Sequence, residues 1–240
     1  MVMYMKKLLI IPAYNEEENI ANVCKMIKDY NTKHKTSYDF IVINDGSLDN
    51  TEKICIKNKI PCVSLVQNLG IGGAVQTGYK YALENDYDIA IQFDGDGQHD
   101  INYIDNIVSL IEDNEADFVI GSRFVGNVSE FRTSSSRRAG IKIISFFIKL
   151  VTGVKIFDTT SGYRACNKKV IKEFASNYPT EYPEPITTVE LLKKGYIVKE
   201  IAVNMKERVN GKSSIHTWKN VYYMINVILS ILIIGTRRYK

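Results

Sequence analysis

Short apolar runs alternate with helix-like segments along the first half of the chain. The runs are residues 8–11, 40–43, 63–66, 89–93 and 118–121, and the predicted helices between them span 16–33, 49–58, 71–85 and 101–112. Strands that alternate with helices form βαβ units, which build a mostly parallel sheet with helices on both faces. The pattern therefore predicts an α/β fold whose ligand site lies beyond the carboxyl ends of the strands.

Polar residues follow four of these predicted strands at the same end. They are Tyr14-Asn15-Glu16, Asp45-Gly46-Ser47, Asn68 and Asp94-Gly95-Asp96-Gly97-Gln98. Because the carboxyl ends of parallel strands meet at one edge of a sheet, these four groups are expected to surround a single site.

Two carboxylates, Asp94 and Asp96, flank a glycine directly after a buried strand. Carboxylates this close repel each other, and a hard divalent cation relieves the repulsion while it bridges phosphate oxygens. Mg²⁺ or Mn²⁺ is the expected cofactor, with Gln98 as a third oxygen ligand. The alternative is a solvated acidic turn, but the position after an apolar strand favours the metal.

Two further features of this edge suit a nucleotide. Asp45 could accept hydrogen bonds from a base edge or a ribose, or it could instead cap the next helix. Glycines at 70, 72 and 73 open a predicted helix, where the backbone can approach a phosphate closely. Gly72 is therefore a candidate donor-binding residue, although glycine-rich helix starts also occur where helices pack tightly.

The second half of the chain is less regular. It predicts a loop at 126–136, helices at 137–152, 168–175 and 187–194, a turn and strand at 158–166, and a strand at 196–203. The proline-containing residues 177–185 are predicted to form an ordered loop over the site. The arginines expected near the site are Arg123, Arg137, Arg138, Arg164 and Arg208, because arginine suits bidentate contact with phosphate.

Charge is unevenly distributed in this 240-residue chain of net charge +4, a value too small to indicate a nucleic-acid-binding protein. Residues 131–157 and 209–240 together hold 11 basic residues and no acidic one. The other residues hold 20 basic and 27 acidic ones, a net charge of −7. Both basic segments are also apolar, a composition typical of a surface that meets anionic lipid.

A helical wheel places Arg138, Lys142, Ser145 and Lys149 on one face of the predicted helix 137–152. The C-terminal segment 217–240 is likewise predicted to be an amphipathic helix that follows a catalytic domain at 1–216. Its apolar part, 221–235, spans only about 22 Å, less than the roughly 30 Å of a bilayer core. A helix in the membrane plane is the favoured interpretation, and packing on this protein or a partner, or a tilted span, are the alternatives.

The chain begins with no recognisable signal peptide, so the catalytic domain is expected in the cytoplasm, peripherally bound to the inner face of the cell membrane. Any membrane-spanning helices would then belong to a small partner protein. The four cysteines lack metal-like spacing and are expected to be reduced thiols.

Seven motifs occur in the order found in family-2 glycosyltransferases, which the chain resembles over residues 6–216. They are Pro12-Ala13-Tyr14-Asn15-Glu16, Asn44-Asp45-Gly46-Ser47, residues 68–82, Asp94-Gly95-Asp96-Gly97-Gln98, Gly121-Ser122-Arg123-Phe124, Asp158-Thr159-Thr160-Ser161-Gly162-Tyr163-Arg164 and residues 208–214. The chain is most similar to the polyprenyl-phosphate branch, the dolichyl-phosphate mannose synthase-like enzymes. That resemblance implies the GT-A fold, a Rossmann-like three-layer α/β arrangement, and inverting transfer from a nucleotide-diphosphate sugar.

The resemblance also implies roles for individual residues. Pro12, Tyr14, Glu16 and Asp45 would hold the nucleoside, and Asp94, Asp96 and Gln98 the metal and diphosphate. Arg208 and Ser213 would form a closing loop, and Arg123, Arg137 and Arg138 would meet the acceptor lipid phosphate. Asp158 and Arg164 belong to the implied catalytic set, although an ionised phosphate acceptor needs no general base.

One departure from that branch leaves the acceptor open. Glu184, within Tyr182-Pro183-Glu184-Pro185, could act as a base for a sugar hydroxyl, which would make the acceptor a lipid-linked glycan in polysaccharide synthesis. A sugar nucleotidyltransferase is disfavoured, because Pro12-Ala13-Tyr14-Asn15 is not its glycine-rich turn. A catalytically silent scaffold is disfavoured because the carboxylates are present.

Overall fold

The computed structural model describes residues 5–126, 135–205 and 217–239. Among these residues there are seven strands and eight α-helices. The strands are β1 (Lys7–Ala13), β2 (Tyr38–Asn44), β3 (Cys62–Ser64), β4 (Ile89–Gln92), β5 (Phe118–Ser122), β6 (Arg164–Asn167) and β7 (Val198–Ala202). The helices are α1 (Ile20–His34), α2 (Thr51–Lys57), α3 (Gly70–Glu84), α4 (Ile104–Glu112), α5 (Ser135–Thr152), α6 (Lys168–Ser176), α7 (Pro183–Lys193) and α8 (Thr217–Thr236).

The seven strands form one sheet in the order β3-β2-β1-β4-β6-β5-β7. The pairs β1-β2, β1-β4, β2-β3 and β5-β7 are parallel, whereas β6 is antiparallel to both of its neighbours. The mostly parallel α/β sheet predicted from the sequence is thus confirmed.

Helices cover both faces of the sheet and bury one apolar cluster on each. Helices α1, α2 and α4 pack on one face, with Leu9, Ile91 and Val119 supplied by the strands. Helices α3, α5, α6, α7 and α8 belong to the cluster on the other face, to which Leu8 and Ile10 belong. Alternate residues of β1 therefore enter opposite cores, as the two-residue period of a strand requires.

Three element boundaries differ from the sequence predictions for local reasons. Helix α1 begins at Ile20 instead of residue 16, and residues 17–19 form a turn in which the Asn19 N–H donates to the Glu16 carbonyl at 3.0 Å. The segment 101–112 begins with a 3₁₀ turn before α4. Helix α7 begins at Pro183, so the predicted loop 177–185 ends earlier than expected. Proline suits a first helical position because its missing N–H has no partner there.

Helices α5 and α8 lie side by side and run in the same direction. A Cβ on Gly140 would lie 3.3 Å from the Met224 sulfur, and one on Gly235 would lie 2.7 Å from Val151 Cγ1, so small residues allow close approach at both ends. Helix α8 also packs on α7. The C-terminal helix is therefore part of the packed fold, with one face buried and an apolar row still exposed. No helix in the described parts of the chain is long and apolar enough to cross a membrane.

Candidate active site

A cavity of about 460 Å³ opens at the carboxyl ends of β1, β2 and β4. All four predicted polar groups contribute to its lining. The residues from those groups are Tyr14, Glu16, Asp45, Asn68, Asp94, Gly95 and Asp96. The convergence of the strand ends is thus found in the structure, and Pro12 lines the cavity as well.

The loops after β1 and β2 are joined by hydrogen bonds. The Asn15 N–H donates to Ser47 Oγ at 3.0 Å, and the Glu16 N–H donates to Thr51 Oγ1 at 2.9 Å. Asn15 has a φ of 55°, a left-handed conformation that asparagine tolerates better than most residues. These contacts fix the cavity wall that contains Tyr14 and Glu16.

Asp45 caps the segment that leads into α3. Its Oδ1 accepts the Leu69 N–H at 2.7 Å, while Asn68 Nδ2 donates to the Asp45 carbonyl at 3.1 Å. Burial raises the pKa of this carboxyl, and backbone donors from Leu69 and Gly70 oppose that shift. The sequence left open whether Asp45 holds a ligand or caps a helix. It caps α3, not α2, and still lines the cavity.

Asp94 and Asp96 lie in a turn that is held in place by contacts between His99 and Asp94. The Asp94 N–H donates to His99 Nδ1 at 3.1 Å, and His99 Nε2 is 3.4 Å from Asp94 Oδ2. His99 also stacks on Tyr163, with ring centroids 4.7 Å apart. Burial lowers the pKa of His99 to about 4, so the imidazole is neutral at pH 7 and acts as a positioning residue.

The donor set of this turn fits a divalent cation that shares its coordination with a substrate. The described residues contain no group of three or more His, Cys, Asp or Glu side chains arranged around a metal site. Two carboxylates plus substrate phosphate oxygens and water form a usual Mg²⁺ site, and the side chain of Asp94 is about one-third exposed (34%). Asp94 also lies over Gly162, where a Cβ would be 2.8 Å from Asp94 Oδ2.

Gln92, on the floor of the cavity, was not among the residues predicted from the sequence. Gln92, the last residue of β4, is buried, and its Oε1 has no hydrogen-bond partner in the described residues. Thr160 and Gly162 line the same floor, next to Glu184. Burial raises the pKa of Glu184; Arg164 opposes the shift and Asp94 adds to it. A glutamine at the end of an otherwise apolar strand was the available sequence signal.

Arg164 is buried and holds backbone groups in place. Its Nε donates to the Ser161 carbonyl at 2.6 Å, and one Nη donates to the Glu184 carbonyl at 2.8 Å. The prediction that Arg164 contacts phosphate is corrected accordingly, because these bonds make it a positioning residue for the first turn of α7.

Arg123 and Asp158 form a buried, bidentate ion pair. Arg123 Nε donates to Asp158 Oδ2 and Nη2 donates to Oδ1, both at 2.7 Å. Nη2 also donates to Thr160 Oγ1 at 3.0 Å, which links the pair to the cavity floor. The sequence predicted Arg123 as a phosphate ligand and Asp158 as a catalytic acid. The pairing gives both residues a structural role, since each charge neutralises the other, and the two roles predicted from the sequence stay predictions.

The two arginines at the start of α5 face different surroundings. Arg137 lies within electrostatic range of Arg123, Asp158 and Tyr223, beside the buried pair. The Arg138 guanidinium lies 5.9 Å from the centroid of the Phe124 ring, in a separate groove. Of the predicted acceptor-phosphate residues, Arg123 is therefore close to Arg137, and its guanidinium lies 5.5 Å from the centroid of the same Phe124 ring that Arg138 approaches.

Gly72 lies beneath a loop, not at the cavity. A Cβ at this position would lie 2.2 Å from the Pro179 carbonyl oxygen and 2.6 Å from Thr180 Cα. The predicted donor-binding role is replaced by a packing role, and Gly70 is the glycine of this run that lines the cavity. Gln98 does not line the cavity, and its N–H donates to Asp96 Oδ1 at 3.0 Å. Arg208 and Ser213 lie outside the described residues.

Replacing Gly72 with alanine is expected to destabilise the protein by about 1–3 kcal/mol, because the added methyl overpacks the contact with Pro179. Urea unfolding of the variant beside the wild type measures this difference. Unchanged stability together with a raised KM for the donor would instead support a ligand-binding role for Gly72.

The sequence of this chain is similar to those of known proteins. Residues 8–174 match the family described as glycosyl transferase family 2. A UDP-N-acetylglucosamine–dolichyl-phosphate N-acetylglucosaminyltransferase of Methanococcus voltae is 37% identical over 68% of this chain and 70% of its own length. An undecaprenyl-phosphate mannosyltransferase of Micrococcus luteus is 26% identical over 87% of each chain.

The fold also matches a solved structure. Glucosyl-3-phosphoglycerate synthase of Mycobacterium tuberculosis, crystallised with Mn²⁺ and UDP-glucose, superposes with a TM-score of 0.68. The match covers 98% of this chain and 81% of the other at 17% identity, so it bears on the fold alone. The GT-A arrangement expected from the sequence is confirmed by this likeness together with the family match.

Proposed function

This chain belongs to glycosyltransferase family 2, and from that premise we propose that it transfers a sugar, with inversion, from a nucleotide-diphosphate sugar to a polyprenyl phosphate. One observation carries the proposal: the strand ends place a nucleotide-sized cavity and two aspartates beside the Arg123–Asp158 pair and Arg137. The relatives from Methanococcus voltae and Micrococcus luteus, whose names specify dolichyl and undecaprenyl phosphates, support the acceptor class.

Donor binding would divide between the two sides of the cavity. Pro12, Tyr14, Glu16 and Asp45 would contact the nucleoside, because they line the β1–β2 side. Asp94 and Asp96 would hold Mg²⁺ or Mn²⁺ with the diphosphate, and the bound ion would stabilise the charge on the leaving nucleoside diphosphate. The Gln92 oxygen on the cavity floor has no hydrogen-bond partner among the described residues, and it would accept a hydrogen bond from a sugar hydroxyl.

A phosphate acceptor simplifies the chemistry that the chain must perform. Such an acceptor is already ionised near neutral pH, so its oxygen can attack the sugar without giving up a proton to the protein. Arg137 would attract that phosphate, while the neutral Arg123–Asp158 pair would hold Thr160 in place on the cavity floor. The side chains of the protein would therefore bind and orient the donor and the acceptor phosphate and neutralise their charge.

The same proposal places the protein peripherally on the cytoplasmic face of a membrane. Large apolar side chains remain exposed on two helices that pack together: Ile143, Phe146 and Leu150 on α5, and Tyr222, Ile225, Leu229 and Ile233 on α8. Rows of this kind insert into the boundary between headgroups and acyl chains. A lipid acceptor would then be presented where α5 begins, next to Arg137.

Glu184 provides the test between a phosphate acceptor and a sugar hydroxyl acceptor. If the acceptor is a polyprenyl phosphate, the Glu184→Gln variant is expected to keep kcat within about tenfold of wild type, because no base is required. Transfer rates with a short polyprenyl phosphate measure this effect. The matched control is Glu181→Gln, which removes an exposed carboxylate three residues earlier.

A loss of about 10³-fold or more in Glu184→Gln alone would contradict the phosphate acceptor. It would favour the lipid-linked glycan, whose hydroxyl must lose a proton as it attacks. Two observations favour this second acceptor: Glu184 lines the cavity, and burial raises the pKa of its carboxyl, which suits that group to proton transfer.

A further inference from the structure

A second cavity lies apart from the donor cavity, between α5 and the segment that follows it. Its volume is about 450 Å³, within the range of small-molecule sites. The buried Ser145 hydroxyl donates to the Ile156 carbonyl and ties α5 to this segment. The Arg123–Asp158 pair lies between the two cavities. Phe124 and Phe157, the sequence neighbours of the pair, line the second cavity, whereas Thr160, which Arg123 contacts, lines the cavity at the strand ends. We refer to it as the α5 groove.

Four cations line the α5 groove. Arg138, Lys142 and Lys149 come from one face of α5, and Lys155 comes from the following segment. Among the described residues that line the groove there is no acidic side chain, and none of the described acids forms an ion pair with these four. Four like charges converge on one small volume, which makes the groove a site of positive potential.

Aromatic rings hold these cations beside apolar surface. Lys155 Nζ lies 4.2 Å from the centroid of the Phe157 ring, and Arg138 lies over Phe124. Phe146, which also lines the groove, is 62% exposed, and Leu150 beside it is 63% exposed. A ligand that fits this surface carries a phosphate for the cations and is attached to hydrocarbon that meets the exposed side chains.

We propose that the α5 groove binds the phosphate headgroup of an anionic phospholipid and so docks the enzyme on the membrane in one orientation. The proposal rests on the proposed function for its membrane setting, but it concerns a lipid that is not consumed in the reaction. The bound headgroup would hold α5 against the membrane. The start of α5, where Arg137 would receive the lipid acceptor, would then face the bilayer.

The test uses the full chain and vesicles of phosphatidylcholine with and without 20% phosphatidylglycerol, at about 0.15 M salt. The variant is Lys142→Ala/Lys149→Ala/Lys155→Ala. Each lysine near an anionic surface contributes about fivefold to binding, so the variant is expected to bind phosphatidylglycerol vesicles roughly 100-fold more weakly. Arginine at the same three positions is expected to preserve binding, which also shows that the positions tolerate substitution.

A charge-matched control separates the groove from net charge. Lys25→Ala/Lys33→Ala/Lys57→Ala removes three exposed lysines from α1 and α2, on the opposite face of the sheet. It is expected to change vesicle affinity by less than about threefold. Equal weakening in both triple variants would overturn the proposal in favour of a general electrostatic attraction.

Activity in detergent distinguishes this proposal from the proposed function. With a short polyprenyl phosphate in neutral detergent, the groove variant is expected to transfer sugar at the wild-type rate, because no anionic lipid is present. A raised acceptor KM there, with vesicle binding intact, would overturn the proposal and assign the groove to the acceptor. Failure of the wild type to transfer at all would refute the proposed function, while vesicle binding would still report on the groove.

Discussion

Asp94→Asn is expected to lower kcat by about 10³-fold or more while the protein stays folded. The Asp94 carboxylate faces the cavity and is one of two that can hold a divalent cation against the donor diphosphate. Asparagine has nearly the same shape, and the backbone N–H that donates to His99 Nδ1 is unaffected. The side-chain charge is lost, and with it the stabilisation of the leaving nucleoside diphosphate.

The measurement is the rate of nucleoside diphosphate release at saturating Mn²⁺, with thermal unfolding of the same samples. Asp113→Asn is the matched control, because that residue is an exposed aspartate just beyond α4. We expect the control to retain wild-type activity and both variants to unfold within about 2 °C of wild type. Full activity in Asp94→Asn would contradict the assignment of this carboxylate to the metal.

Asp158→Asn is expected to destabilise the protein by about 3–5 kcal/mol, because it leaves the Arg123 guanidinium buried without a counter-charge. The side chain of Arg123 is only 5% exposed and that of Asp158 is fully buried, so water cannot replace the lost partner. Denaturant unfolding at pH 7 measures the difference. Activity is expected to fall as well, because Thr160 on the cavity floor is held by the same guanidinium.

The double variant Arg123→Met/Asp158→Leu separates stability from function. Apolar replacement of a buried ion pair is often neutral or stabilising, so this variant is expected to recover most of the lost free energy of unfolding. It is not expected to recover transfer, because Thr160 on the cavity floor loses its hydrogen bond from Arg123. If Asp158→Asn were as stable as wild type but inactive, Asp158 would be a catalytic acid and not a structural partner.

Local pattern was enough to predict the sheet and the convergence of its strand ends. Strand periodicity and breaker residues located β1 through β5 to within a few residues, because each run is predominantly apolar. Asp45, Asp94 and Asp96 follow those strands directly, and strand direction alone brings them to one edge. The cationic face of α5 was likewise visible from its helical spacing.

Contacts between distant segments could not be predicted in the same way. The Arg123–Asp158 pair joins residues 35 positions apart, and both residue types also suit a phosphate or catalytic role. Gly72 looked like a phosphate-binding glycine because only the folded chain brings Pro179 over it. Pro183 suggested a loop, because proline disrupts the interior of a helix. Proline is also common in the first turn of a helix, and Pro183 begins α7.

The most direct test of the central claim is the fate of a labelled sugar. The purified chain is incubated with Mn²⁺, a panel of radiolabelled nucleotide sugars and a short polyprenyl phosphate, and the products are partitioned between water and organic solvent, with Asp94→Asn as the inactive control. We predict that label from at least one donor passes into the organic phase as a sugar linked to polyprenyl phosphate, and that Asp94→Asn forms none. Label that is transferred but stays in a water-soluble glycan would contradict the polyprenyl phosphate acceptor.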